Sequence, residues 1–220
     1  MVEIIMKTFQ QLFDEHNGDS ILKWSNYPDI YDKHFLPYRD KHINILEIGV
    51  YKGGSMRLWE KYFPKARIFG VDINEDCKKY ESDRTKIFIG DQSDKSFLRT
   101  VKAEIPQIDI LIDDGSHRSD HQIITFEEMY YHVKIPGIYL IEDIELNYRQ
   151  DKKSNNFMEY MKNKIDELNV RKVMPGKQAL SHQWKDLEVR FTNLTNNITF
   201  YDNVVVLEKQ HMRIPREIRK

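Results

Sequence analysis

The stretch "LIDDGSH" (111–117) runs two apolar residues straight into Asp113 and Asp114, then a glycine, the Ser116 hydroxyl and the His117 imidazole. An apolar run of this kind reads as a buried strand, and a carboxylate buried without a partner costs several kcal/mol. The acids therefore sit at the strand's mouth or face something positive. A second apolar run, "GIYLIED" (137–143), ends on Glu142 and Asp143. Brought together, Asp114, Glu142 and Asp143 would repel and raise one another's pKa. A divalent cation relieves that, and an all-oxygen ligand set selects magnesium, calcium or manganese over zinc. Neighbours on a strand point to opposite faces, so Glu142 and Asp143 share an ion only if the chain bends there. The plain alternative is solvated loop acids. His117, three residues past Asp114, is a candidate general base because an imidazole titrates near neutrality. His121 is its rival, and His117 is preferred because its loop lies nearer the strand mouth.

A second set of chemistry-bearing residues ends earlier apolar runs. "LEIGVYKGGS" (46–55) has the glycine-rich character of a strand-to-helix turn that lets backbone approach a ligand. A dinucleotide fingerprint from Gly49 needs glycines at 51 and 54. Gly54 is present, but position 51 is Tyr51, and the missing middle glycine is the one that admits a pyrophosphate. That counts against NAD or FAD and leaves a phosphate-free cofactor such as S-adenosylmethionine. Glu47 would then suit the ammonium of its methionine part, Asp72 the ribose hydroxyls and Asp91 the adenine amino group. Singly, a glycine turn or an Asp after a strand is often structural. Three acids and a turn at three successive strand ends argue together.

These residues need a scaffold that gathers strand ends. Strand-length apolar runs at 43–50, 66–72, 86–91, 108–114 and 137–143 alternate with segments of helical spacing at 55–63, 75–82, 94–105 and 119–133. Alternation of this kind predicts βαβ units and a mostly parallel sheet, with ligands at the carboxyl ends of the strands. Ser119 and Gln122 have capping-box spacing at the start of the last helix. Residues 3–16 and 157–169 also read as helices, and 27–39 mixes aromatic and polar residues around Pro28 and Pro37. In "ITFYDNVVVLEK" (198–209) two β-rich runs flank Asp202-Asn203, a hairpin turn signal. The expected fold is α/β and doubly wound: a seven-stranded sheet of five parallel strands finished by a C-terminal antiparallel hairpin.

At 220 residues, 40% hydrophobic and 31% charged, the chain suits a single domain over 1–220 with a real core. A net charge of −1 implies no strong attraction to nucleic acid or an anionic membrane. The basic end, 209–220, reads as a solvated tail. The start carries Glu3 and no long apolar run, so neither signal peptide nor anchor is expected there. The single cysteine, Cys77, fits a reducing compartment, and a cytoplasmic location is expected.

The segments "LEIGVYKGGSMRLWEKYFPKARIFGVDI", "GDQSD", "IDDGSH", "YLIEDI" and "FYDNVVVLEK" resemble the class I, metal-dependent O-methyltransferases of macrolide deoxysugars, the mycinamicin and macrocin type, with cephalosporin-hydroxylase-like proteins as relatives. The resemblance covers roughly residues 20–150 and the final hairpin. It implies a Rossmann-like methyltransferase fold, S-adenosyl-L-methionine and Mg2+ (or Mn2+) as cofactors, and a sugar or glycoside acceptor, with a rhamnose-like unit preferred. Carried over, the metal ligands are Asp114, Glu142 and Asp143 and the base is His117. The cofactor set is Glu47, Gly49, Tyr51, Gly53, Ser55, Asp72, Asp91, Gln92 and Asp113, with Gln92 beside the adenine. Tyr31, His121 and Tyr148 are acceptor-side candidates. Residues 1–42 resemble the segment that closes over the site in that family, and 145–195 would be a variable acceptor-side region. An exposed aromatic N-terminal segment would also favour a homodimer. The rival readings are a catechol-type O-methyltransferase, a non-catalytic S-adenosylmethionine-binding module and, weakest because of Tyr51, a nicotinamide oxidoreductase.

Overall fold

Seven strands form one sheet in the order β3-β2-β1-β4-β5-β7-β6. The structure, a computed structural model, describes residues 6–149, 156–173, 186–212 and 218. The strands are β1 (Asn44–Ile48), β2 (Arg67–Asp72), β3 (Thr85–Ile89), β4 (Ile108–Asp113), β5 (Val133–Ile141), β6 (Thr195–Tyr201) and β7 (Val204–Lys209). The first five pair in parallel, while β7 runs antiparallel to β5 and β6 antiparallel to β7. This is the sheet expected from the sequence, with the hairpin turning at Asp202-Asn203 and Asn203 at φ 65°. The order reverses between β1 and β4, so the carboxyl ends of those two strands open the crevice where ligands bind in such sheets.

Helices α1 (Phe9–Asp14), α2 (Tyr27–Phe35), α3 (Gly54–Tyr62), α4 (Lys95–Glu104), α5 (Ser119–Met129), a short α6 (Leu146–Arg149), α7 (Phe157–Val173) and α8 (Asp186–Leu194) complete the chain. Alternation along the strands splits the core in two. Ile45, Ile68, Ile110, Ile112 and Leu140 pack with α1, α2 and α3 on one face. Leu46, Val71, Leu111, Tyr139 and Ile141 pack with α4, α5 and α7 on the other. Because both faces are covered, the parallel strands read as unbroken apolar runs. Among the described residues, no helix is long and apolar enough to cross a membrane.

Some local expectations are corrected. Only Phe9–Asp14 of the predicted 3–16 helix is α-helical among the described residues, and residues 1–5 lie outside them. Thr8 caps this helix with Gln11 in a reciprocal capping box. The segment expected to be a helix at 75–82 is a 3-10 helix, Glu75–Tyr80. Residues 27–35, left without an element by the sequence, are the helix α2, with Pro28 in its first turn, where the missing N–H costs nothing. The predicted Ser119–Gln122 capping box does not form: Arg118 is the N-cap residue. Ser119 Oγ instead accepts from the Phe157 N–H at 2.5 Å, and Gln122 Nε2 donates to the Glu142 carbonyl at 3.2 Å. Tertiary partners outcompete the local cap.

The aromatic N-terminal segment is buried rather than exposed. Tyr27, Tyr31 and Phe35 of α2 pack with Phe9 and Trp59 against the sheet. Phe9 meets the Tyr31 and Trp59 rings at centroid distances of 4.7 and 4.9 Å. Trp24, in the stretch before α2, is the exposed aromatic of this segment at 56%.

Candidate functional site

Strand alternation sets which acids meet. On β1, Glu47 shares a face with Ile45 and therefore looks toward α1, α2 and α3. On β4, Asp113 pairs with Ile141 of β5 in the register, so Asp114 and Glu142 stand side by side just beyond it. Parity puts both on the same face as Glu47. Asp113 falls on the opposite face.

The turn after β1 requires glycine. Gly49 has φ 96°, and a Cβ there would lie 2.0 Å from the Asp114 carbonyl oxygen, so this close approach of two strand tips excludes any side chain. Tyr51 is held at φ 52° because its N–H and that of Val50 donate to Asp72 Oδ2 at 2.8 and 2.9 Å. Asp72 Oδ1 accepts from the Asn74 N–H at 2.9 Å. Beside this turn lies a cavity of about 360 Å³ lined by, among others, Gly49, Tyr51, Asp72, Asp91, Ser116 and His121. Asp91 Oδ1 accepts from the Ser93 N–H at 2.7 Å, which holds this carboxyl below its ordinary value.

Next to the cavity is a buried charge cluster. Lys23 Nζ donates to Asp114 Oδ2 at 2.5 Å and Glu142 Oε2 at 2.7 Å, and lies 3.8 Å from Glu47 Oε1. Its side chain is 3% exposed. Tyr31 Oη donates to Glu142 Oε1 at 2.5 Å, so both oxygens of Glu142 are engaged. Glu47 Oε2 accepts from Ser55 Oγ at 2.7 Å, and its Oε1 has no hydrogen-bond partner. Burial pulls the Lys23 ammonium down, but Asp114, Glu142 and Glu47 outweigh it and hold it well above its ordinary value. Burial pushes Glu47 up to about 7 and Glu142 up to about 8, against the pull of Lys23 in both cases.

On the other side of Asp114, His117 Nε2 lies 3.2 Å from Asp114 Oδ1 and 3.6 Å from Asp143 Oδ2. One ligand atom each from Asp114, His117 and Asp143 lie within 4.8 Å of one another. Asp143 reaches this group because the chain does bend there, at φ 51°. Tyr27 Oη donates to Asp143 Oδ1, and Asn203 Nδ2 donates to the same oxygen at 3.0 Å, so α2 and the hairpin turn brace this carboxylate. Burial pulls the His117 imidazole down, but the hydrogen bond and charge of Asp114, with the charges of Asp143 and Glu145, raise it to about 9. Oxygen donors with one imidazole make a ligand set for a hard divalent cation.

No protein-family model matches this chain. The chain is 37% identical over 142 residues to the 8-demethyl-8-alpha-L-rhamnosyl tetracenomycin-C 2'-O-methyltransferase of Streptomyces olivaceus, an alignment covering 60% of this chain and 36% of the relative. It is 40% identical over 121 residues to the mycinamicin VI 2''-O-methyltransferase of Micromonospora griseorubida, covering 52% of this chain and 30% of that one. Its structure superposes on the MycE methyltransferase of the mycinamycin biosynthetic pathway, solved with Mg, SAH and mycinamycin VI, with a TM-score of 0.78 and 27% identity, over 94% of this chain and 54% of that one. The fold is that of a class I methyltransferase. The resemblance read from the sequence therefore holds, and the chain spans about a third of the length of the curated relatives it matches.

Within this methyltransferase fold the predicted residues divide. Gly49, Tyr51, Asp72, Asp91, Gln92, Asp114 and His121 line the cavity. Gln92, expected beside an adenine, spends its side chain on the protein: Nε2 donates to Asp113 Oδ1 and Thr125 Oγ1, each at 3.1 Å, and Oε1 accepts from the Ser116 N–H at 2.6 Å. Asp113 is 1% exposed on the far face, bonded to Gln92, and is not part of the cavity wall. Ser55 positions Glu47, and Gly53, at φ 75°, packs so that a Cβ would strike the Tyr80 ring. Glu47 itself is fully buried behind Lys23. Of the metal set, Asp114 and Asp143 come together with His117, whereas Glu142 is turned to Lys23 and Tyr31. Tyr31 is fully buried, so it braces Glu142 and offers no surface to an acceptor. His121 belongs to the cavity, with Nδ1 2.9 Å from Ser116 Oγ, and not to the His117 cluster. Tyr148 is 68% exposed, just past the end of β5.

Sequence reasoning missed Lys23 and Asn203. Asn203 was flagged only as a turn. Lys23 lies in an irregular stretch, "SILKWSN" (20–26), without a helical or strand period, 91 and 119 residues from its partners.

Proposed function

We propose that this chain transfers the methyl group of S-adenosyl-L-methionine to a hydroxyl of a deoxysugar in a glycoside, using a divalent cation. The observation that carries the reading is the convergence of Asp114, Asp143 and His117 within 4.8 Å, at strand tips that also wall the Gly49–Asp72–Asp91 cavity. Asp114 and Asp143, with Glu142 adjoining, would hold Mg2+ or Mn2+. The site fits the donor: the Gly49 turn leaves no Cβ to keep a ligand from the backbone, Asp72 and Asp91 present carboxylates, and Glu47 Oε1, which makes no hydrogen bond and faces the Lys23 ammonium at 3.8 Å, suits an ammonium. The names of the relatives, rhamnosyl and mycinamicin O-methyltransferases, favour a sugar acceptor.

When bound, the cation would act as a Lewis acid that makes an acceptor hydroxyl more acidic. His117 lies where it can take that proton at Nε2. Without a cation it is already protonated near neutrality, because Asp114 and Asp143 raise it to about 9. Neutralising those two carboxylates would remove most of what raises the imidazole and leave burial to favour its neutral, basic form. Asp114 therefore has two jobs, ligand and regulator of His117. Alignment of hydroxyl and sulfonium methyl within the walled cavity supplies much of the acceleration. Residues 1–42 would close the site through α2, and the described part of 145–195 would face the acceptor; 150–155 and 174–185 of that region lie outside the described residues. A cytoplasmic location accords with the single free, buried Cys77.

The test is mass spectrometry of a rhamnoside and a catechol incubated with S-adenosylmethionine and Mg2+. Methylation of the rhamnoside, abolished by EDTA and reduced at least about a hundredfold in Asp114→Ala and His117→Ala, is expected. Full activity with EDTA and in Asp114→Ala would overturn the metal reading, and preference for the catechol would overturn the acceptor.

A further inference from the structure

Lys23 stands on the oxygens that a cation would use. Its ammonium touches Asp114 Oδ2 and Glu142 Oε2 at 2.5 and 2.7 Å, ordinary charge-assisted hydrogen-bond distances, and faces Glu47 Oε1 at 3.8 Å. A divalent ion bonded to those same two oxygens at the short distances of Mg2+ or Mn2+ would overlap the ammonium. The remaining Glu142 oxygen is held by Tyr31. Glu142 therefore cannot become a ligand through its inward oxygen while Lys23 stays.

We propose that Lys23 is a tethered counter-cation that occupies the Asp114–Glu142 carboxylates in the ion-free enzyme and must withdraw when a divalent cation takes them. The inference rests on the metal reading above. The fold permits the movement. Lys23 is carried on an irregular stretch between α1 and α2, and its neighbours Leu22 and Trp24 are 83% and 56% exposed. Leu22 gives up little buried surface if the stretch lifts, and Trp24 about half of its own, while Ile21 packs partly buried against the core and limits how far the stretch can move. The stretch is pinned at both ends, with the Asp19 and Ser20 carbonyls packed against Gly54 and Asn26 Nδ2 bonded to the Asp202 carbonyl, so the withdrawal is a local swing. The purpose is electrostatic. Glu47, Asp114 and Glu142 buried together without a cation would repel strongly, and Lys23 keeps them assembled until an ion arrives. Its withdrawal also uncovers Glu47, which it now covers.

Two measurements on the full chain, without donor or acceptor, test this. Mn2+ binding is followed by calorimetry or by loss of the free-ion spin-resonance signal for the wild type, Lys23→Met and Lys23→Arg. Lys23→Met is expected to bind Mn2+ at least about tenfold more tightly than the wild type, because a like charge has been removed from the cage, while Lys23→Arg gains nothing. In the unaltered chain, amine acylation read by mass spectrometry is expected to spare Lys23 without metal and to modify it with Mn2+. This arm stands even if the Met variant does not fold. Equal Mn2+ affinity in wild type and Lys23→Met, with Lys23 protected throughout, would overturn the inference and leave the ion to the Asp114–His117–Asp143 group. No Mn2+ binding to either protein would overturn the metal reading itself, and this inference with it.

Discussion

The carboxyl of Asp113 lies on the sheet face away from the cluster, 1% exposed, with Gln92 Nε2 donating to it. Burial raises its pKa from 3.8 to about 7. The folded chain therefore keeps a proton that the unfolded chain has shed between about pH 4 and 7. By linkage, stability falls as pH climbs through that window, and the loss is complete above it. Asp113→Asn removes the titration. Its melting temperature is expected to match the wild type near pH 4 and to exceed it at pH 8 by about 2–4 °C, what a gain of about 1 kcal/mol gives a domain of this size. Differential scanning calorimetry at the two pH values checks this, and a gap independent of pH would refute it. The parity rule that separates Asp113 from Asp114 is readable in the sequence, as is the coincidence of Glu47, Asp114 and Glu142 on one face once β1, β4 and β5 are adjacent. Lys23 was not readable. A lone lysine in an irregular segment carries no spacing signal, and only the path of the chain between α1 and α2 brings it to the acids.

At the scale of elements, what positions the cluster is the aromatic contact between α1, α2 and α3. Phe9 is fully buried among Tyr31, Trp59 and Tyr62, and its N–H donates to Asp32 of α2. Tyr31 then delivers its hydroxyl to Glu142, and Tyr27 reaches Asp143. Phe9→Ala should cost about 3–5 kcal/mol, the range for emptying a buried aromatic site. It should also loosen the α1–α2 pair before the sheet. Urea denaturation read by Trp fluorescence measures the first, and earlier proteolysis within residues 6–35 the second; a loss under about 1 kcal/mol would mean the site collapses onto neighbouring rings. The parallel strands were legible because covering on both faces makes them apolar throughout. Helix α2 was not, because Pro28 within it and Pro37 just after it punctuate the segment like a loop, and its buried face mixes Tyr27, Tyr31 and His34 with Ile30 and Phe35. Ser119 misled for a related reason, since its cap-like spacing served a partner in α7 38 residues away.

For the whole molecule, the sheet order, the glycine turn and the cavity lie together at the carboxyl ends of β1 and β4, where the proposed donor would bind. The chain spans about a third of the length of the curated relatives it matches, and the Gly49–Asp72–Asp91 cavity lies within it. Donor binding and acceptor choice are thus separable by experiment. A ligand that binds only the folded state adds about 2.7 kcal/mol of stability at a hundred times its Kd. In a domain of this size that raises the melting temperature by about 5–10 °C. S-adenosylmethionine is expected to give this shift with no sugar present, and NADH none, since Tyr51 replaces the glycine that would admit a pyrophosphate at the β1 turn. An equal shift with both would mean the cavity binds adenosine generally and does not select the donor. No shift with S-adenosylmethionine at millimolar concentration, with the chain folded, would remove the methyl donor and leave the carboxylate cluster without a reaction to serve.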